Sequence, residues 1–150
     1  MSQSNGFTKG ICFRKVVTGD HFFYVFDNKI NDIFFNIQKK LNTKNLDIEI
    51  NNEIHLHGRR QALERCFSNI IQNGLVYGNK VNIYAEKSLN RVVILFQDDG
   101  PGIPPEHYRN VFKPFFRLDR SRSLNKSGVG LGLAIVEDIV NSHGGNIQLS

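Results

Sequence analysis

The sequence predicts an α/β domain. Strand-type alternation and helical periodicity follow one another along the chain, and one continuous apolar run, Val92-Val93-Ile94-Leu95-Phe96, suits a central strand. At 150 residues, 40% hydrophobic and 22% charged, the chain has the size of one domain and enough apolar side chain for a real core.

Residues 1–20 show no sustained periodicity, so residues 1–27 are read as an N-terminal remnant or linker ahead of a domain over 28–150. Ile30, Ile33, Phe34, Ile37 and Leu41 recur at helical spacing and predict an amphipathic helix over 28–41. Leu46, Ile48 and Ile50 alternate with charged residues as a half-buried strand does, and Ile54 to Leu56 adds a short partner. Leu63, Cys66, Phe67, Ile70 and Ile71 give the buried face of a second helix over 59–75, which ends near Gly74 and Gly78. Val81 to Ala85 alternates as a strand ahead of the apolar run. After Pro104-Pro105 comes a short helix through Phe112, then a polar, basic stretch over 117–127. A loop that long inside a compact domain is usually functional. A last helix over 130–143 is closed by Gly144-Gly145, and a strand begins at Asn146.

Nineteen Lys+Arg against fourteen Asp+Glu give a net charge of +5, with Arg117, Arg120, Arg122 and Lys126 crowded together. No aromatic-basic interleaving accompanies them, so they read as a local phosphate grip and not as a nucleic-acid face. No run is long enough to span a membrane, and no signal-peptide pattern opens the chain, so an intracellular protein without membrane insertion is expected. Cys12 and Cys66 are too few and too far apart for a disulfide framework or zinc site.

Four constellations carry chemistry. Asn69 and Asn73 stand about one turn apart on one helical face, where two amide oxygens can serve a hard cation such as Mg²⁺; alone, such a pair reads first as solvated surface. Asp98-Asp99-Gly100-Pro101-Gly102 follows the strongest strand. A carboxylate there can accept from an exocyclic amine, the glycines admit a flat ring and Ile103 can pack on it, although the same residues make a plain tight turn. Val111 to Phe116 puts aromatics beside the basic loop, either as its anchor or as ordinary core. Gly128-Val129-Gly130-Leu131-Gly132 leads into the last helix, where a backbone nest and a helix N-terminus favour phosphate. Leu133 stands where a dinucleotide fingerprint needs its third glycine.

Together and in this order, these residues resemble the N, G1, F and G2 boxes of the catalytic domains of two-component sensor histidine kinases, particularly the osmosensor-type branch. The likeness extends through Gly130 to Val136 and His143-Gly144-Gly145, and covers about residues 28–150. It implies the two-layer α/β sandwich of the GHKL superfamily (gyrase, heat-shock chaperone, histidine kinase, MutL), a mixed sheet with helices on one face. It also implies ATP and Mg²⁺ as ligands. Asp98 would take the adenine amine, with Tyr77, Gly100, Gly102 and Ile103 around the base and Phe115 among the nucleotide-binding residues. Asn73 and Asn69 would hold the metal, and Lys126, Gly128, Gly130, Leu131 and Gly132 would line the phosphates. Arg117 and Arg122 match lid arginines, whose guanidinium forks suit phosphate oxygens. Asn69 stands where ATP-hydrolysing relatives carry a water-activating glutamate, and a neutral amide is a poor base, so the implied acceptor is a histidine.

That histidine belongs to an upstream helical hairpin of the form His-Glu-Leu-Arg-Thr-Pro, which this chain lacks. The implied partners are therefore a dimerisation domain carrying the acceptor histidine and, indirectly, a response regulator, with the parent kinase at the inner membrane and this domain in the cytoplasm. Three departures carry expectations of their own. Val76 replaces a usual Lys or Arg, which removes a phosphate contact. Gly74 replaces a usual alanine, at a helix-propensity cost of about 1 kcal/mol that loosens the N box. The family's final strand is missing after Asn146, which leaves an unpaired edge. Two other functions fit the same residues: a stand-alone serine kinase of the anti-sigma-factor type, and a non-catalytic ATP-sensing module.

Overall fold

Periodicity in the two long helices builds most of the core. The computed structural model describes residues 7–14, 26–118 and 130–150, with side chains from 27 onward. Helix α1 (Ile30–Leu41) buries Ile30, Ile33, Phe34 and Ile37 along one stripe. Helix α2 (Arg60–Tyr77) buries Leu63, Cys66, Phe67, Ile70, Ile71 and Gly74. The two helices meet β6 (Arg91–Asp98) through three rings: Phe34 stacks on Phe67 at 5.0 Å between centroids, and Phe96 lies 5.9 Å and 5.8 Å from them. Contacts of this kind, with the area they bury, make a Phe→Ala change here cost about 3–5 kcal/mol. Burial alone pushes the Cys66 thiol up to about 12, so it is an inert core residue at neutral pH.

The main sheet is mixed and five-stranded. With β1 (Phe7–Arg14), β3 (Leu46–Glu49), β5 (Val81–Lys87) and β7 (Gly145–Leu149), its order is β3-β5-β6-β1-β7. Strands β3 and β5 pair in parallel, and every other pair is antiparallel. The apolar run over 92–96 is central, as expected. Its period of two buries Val92, Ile94 and Phe96, and the same period puts Asp98 on the buried face as the strand's last inward residue. A second, two-stranded sheet pairs β2 (Phe26–Lys29) with β4 (His55–Gly58). Buried Asn28 fastens it by donating from Nδ2 to the carbonyls of Leu56 and Gly58, at 3.2 and 2.9 Å. Helix α3 (Gly132–Ser142) packs on α2 through Val136, Ile139 and Val140.

Two expectations are corrected. Residues 1–20 are not without regular structure, because Phe7–Arg14 forms β1 and pairs with both β6 and β7. Lys9 falls on the same phase as Phe7, Ile11 and Phe13 and interrupts their alternation, and the two neighbouring strands supply the ladder that the segment's own pattern does not advertise. Strand β7 pairs with β1, Ile147 opposite Ile11, and ends the sheet order, so its outer edge has no strand partner among the described residues. The short helix after Pro104 is two 3₁₀ turns, Pro105–His107 and Asn110–Phe112.

Candidate nucleotide site

The site begins where β6 ends. Asp98 is 8% exposed, and its Oδ1 accepts the Gly100 backbone N–H at 2.9 Å, so the carboxylate is fixed by the turn that follows it. Gly100 is needed for close approach: a methyl group there would stand 2.8 Å from Asp98 Oδ1 and 3.0 Å from the Tyr77 carbonyl oxygen. The end of α2 is thereby pressed onto this turn. Asp99 completes the contact, because its Oδ1 accepts from the backbone N–H groups of Asn79 at 2.6 Å and Lys80 at 2.9 Å. Those bonds, from Lys80 and then Asn79, hold the Asp99 carboxyl below its ordinary range. These ties span about twenty residues of chain, so no local pattern around Asp99 announces them.

Gly74 is not the weak point that helix propensity suggests. It faces inward, and a methyl group there would lie 2.7 Å from Val81 Cγ2 and 3.3 Å from Asp98 Cβ. The glycine lets α2 approach β5 and β6 closely enough to lie over Asp98. A glycine on the same helical stripe as Ile70 and Ile71 was the available signal.

At the other end, α3 starts with no side-chain cap and no acidic residue in its first turn, so its leading N–H groups remain suited to an anion. Asn69 reaches this end: its Nδ2 donates to the Gly132 carbonyl at 3.5 Å, a long contact that uses the amide nitrogen and not the oxygen. Asn73 is half-buried one turn further along α2, towards Asp98. Space opens at Gly132, where, apart from its own helix turn, no atom of the described residues lies within 4 Å of where a Cβ would stand. Gly130 sits at φ +80°, and its carbonyl accepts the Phe115 N–H at 2.9 Å, which staples the aromatic segment to the glycine turn. Phe115 itself has φ +64° and is 72% exposed, while Phe116 is half-buried against the His107 ring.

The structure therefore brings Asn69 together with Gly132, Phe115 with Gly130, and Tyr77 with Gly100. Tyr77 and Val76 have exposed side chains, and Gly102, Ile103, Arg117 and Leu131 are partly buried. Arg122, Lys126 and Gly128 lie outside the described residues. Among the described residues, no group of three or more His, Cys, Asp or Glu could hold a metal ion.

The described site is thus a buried carboxylate at the end of β6 and, across α2, a helix start without a side-chain cap beside two glycines, in an α/β domain. Residues 58–150 match the family described as histidine kinase-, DNA gyrase B-, and HSP90-like ATPase, and the chain belongs to that family. The bound nucleotide is accordingly ATP. The chain is 40% identical over 94 residues to the sensor histidine kinase CpxA of Escherichia coli K12, a match that covers 62% of this chain and 21% of that protein. It is 43% identical over 92 residues to the sensor protein RstB of the same strain, covering 59% and 21%. The chain thus spans about a fifth of the length of these relatives. Among solved structures, it is similar to a mycobacterial sensor histidine kinase, MprB, at a TM-score of 0.63 and 26% identity, with 80% of each chain covered. The catalytic domain of histidine kinase ThkA gives 0.64 at 22% identity, covering 83% of this chain and 94% of that one, a likeness of fold.

Proposed function

We propose that this chain is the catalytic half of a sensor histidine kinase: it binds Mg-ATP and delivers the γ-phosphate to a histidine on a separate helical-hairpin domain. The observation that carries this reading is Asn69, a neutral amide beside the start of α3, where a water-activating base would otherwise stand. A neutral imidazole already has a lone pair, so it needs no base to attack phosphorus. The P–N bond forms as the bond from the γ-phosphorus to the β,γ-bridging oxygen breaks, and ADP leaves with the electron pair.

In this reading Asp98 accepts from the adenine amine, and the turn at Gly100 and Gly102 with Ile103 and Tyr77 borders the ring. Asn69 and Asn73 offer amide oxygens to Mg²⁺, which when bound neutralises phosphate charge. Gly130, Leu131 and Gly132 present backbone to the phosphates, together with Gly128 and Lys126, and Arg117 and Arg122 fork onto the terminal phosphate. Phosphoryl transfer asks chiefly for positioning and charge neutralisation, which these groups supply without a protein nucleophile. Relatives named sensor kinases support a response regulator as the downstream partner and a membrane-anchored parent protein; among the described residues, no helix is long and apolar enough to cross a membrane.

The test has two stages. Asp98→Asn should weaken binding of a fluorescent ATP analogue by at least about tenfold, since an amide presents a donor as well as an acceptor to the amine. Incubation of the wild type with Mg-ATP and a separately supplied acceptor hairpin should then give an acid-labile phosphoprotein. An acid-stable product would point to serine as the acceptor, and wild type that binds no nucleotide would leave only an interaction module.

A further inference from the structure

We infer that His143 is a positioning residue, a neutral ring protonated on Nδ1 that latches the C-terminus of α3 to the N-terminus of α2. The inference rests on the nucleotide-site reading for its functional consequence, and on geometry for the latch. The Arg59 backbone N–H donates to His143 Nε2 at 3.1 Å, so Nε2 must present its lone pair. On the other side, Nδ1 stands 2.7 Å from the Ile139 carbonyl oxygen, which only accepts, so Nδ1 must carry the proton. One tautomer satisfies both contacts.

Arg59 is the N-cap of α2, and its own side chain gives no cap hydrogen bond, so a residue 84 positions away satisfies an N–H that the helix cannot. The fit is tight. A methyl group on Gly58 would stand 2.6 Å from His143 Cδ2 and 2.9 Å from Nε2, so the glycine before Arg59 makes room for the ring. Asn28 in turn holds the Gly58 carbonyl. Ser142 adds a side contact, with its hydroxyl donating to the Ile139 carbonyl at 2.9 Å and accepting from the Arg59 guanidinium at 3.4 Å.

The latch lies at the ends of the two helices away from the ligand. Helix α2 carries Asn69 and Asn73, and α3 begins at Gly132, so the angle and slide between them set the spacing of amide pair and glycine turn. His143 therefore acts on the site through the helices and touches no ligand.

Three variants of the full 150-residue chain separate the latch from simple packing. His143→Gln can place a carbonyl oxygen near the Nε2 position, His143→Asn replaces Nδ1 but falls short of Arg59, and His143→Ala removes both groups. In wild type, ¹⁵N spectra of the ring should show Nδ1 protonated and Nε2 bare, and the Arg59 amide should exchange slowly. Protection at Arg59 should survive in Gln and vanish in Asn and Ala. Affinity for a fluorescent ATP analogue with Mg²⁺ should fall about fivefold to tenfold in Asn and Ala and less than about twofold in Gln. A ring protonated on Nε2, or a fast-exchanging Arg59 amide in wild type, overturns the latch. Wild-type affinity in Asn, with Arg59 unprotected, overturns the positioning role while leaving the nucleotide site standing. Should Ala fail to fold, the Asn and Gln pair decides. Wild type with an intact latch and no nucleotide binding sinks the proposed function, and the positioning role with it.

Discussion

Replacing Gly74 by alanine sets two known effects against each other at one atom. Alanine is favoured over glycine inside a helix by about 1 kcal/mol, partly through the freedom glycine loses on folding. Against this, the added methyl would stand 2.7 Å from Val81 Cγ2 and 3.3 Å from Asp98 Cβ, both shorter than a relaxed carbon–carbon contact of about 3.5–4.0 Å. Val81 is 1% exposed and β-branched, so it has no free rotamer into which to retreat, and Asp98 Cβ is fixed by the strand. Overpacking a dense core costs about 1–3 kcal/mol, which exceeds the propensity gain. The expected net result is a loss of about 1 kcal/mol, with α2 displaced from β6 and Asp98 with it.

Urea unfolding should therefore show a lower midpoint at unchanged slope for Gly74→Ala, and ATP-analogue affinity should fall severalfold. Trimming the obstacle should rescue it: in the double variant Gly74→Ala, Val81→Ala, the two changes should cost less than their sum, because the second makes room for the first. A higher midpoint for Gly74→Ala, with unchanged nucleotide affinity, would refute the steric argument and restore the glycine to a mere weak spot in the helix.

Gly130→Ala should be harsher at the ligand. The residue sits at φ +80°, which costs an L side chain about 1–2 kcal/mol, and its methyl would stand 3.0 Å from the Phe116 carbonyl oxygen, so calorimetric titration should show nucleotide affinity down about tenfold. Gly132→Ala, by contrast, adds a methyl to open space, so melting temperature should hold or rise while nucleotide affinity falls; unchanged affinity would remove Gly132 from the ligand's surroundings. At the edge of the β2–β4 sheet, His55 sits with Nε2 on Glu53 and Nδ1 on Asp27, each at 2.8 Å. The Glu53 hydrogen bond and then the Asp27 charge raise the His55 pKa, so its contribution is full below the ordinary 6.5 and is lost as pH rises through the raised value. Glu53, pushed down to about 2 by His55 and then Lys29, contributes fully above its ordinary 4.5 and fails only in strong acid. The melting-temperature gap between wild type and His55→Gln should accordingly be widest near about pH 5–6 and close above the raised His55 pKa. A gap that widens with pH would contradict the ion pairs.

Most of the fold was legible because its elements bury their own faces. Ile30, Ile33, Phe34 and Ile37 announce α1, and the run over 92–96 announces the central strand, since a side chain's burial is written in its own periodicity. Strand β1 was not legible, for Lys9 interrupts its apolar phase and its pairing comes from β6 and β7 on both sides. The site divides in the same way. Asp98, Asn69 and the glycine turns stand out as candidates because chemistry restricts the residue types that can serve a nucleotide.

What the sequence concealed was why each small residue is small. Gly58, Gly74 and Gly100 are glycines because a neighbour occupies the place of the side chain: a histidine ring, a valine methyl and a carboxylate. Gly130 is one because of its backbone angle, and Gly132 for neither reason, having nothing within 4 Å. One letter thus stands for three physical demands, of which helix propensity weighs none. Of these five, only the last leaves its space unfilled by the described residues, at the start of α3 beside Asn69. An uncrowded glycine at a helix start whose N-cap residue gives no side-chain hydrogen bond suits a phosphate, so the affinity of Gly132→Ala for nucleotide is the measurement that decides its role.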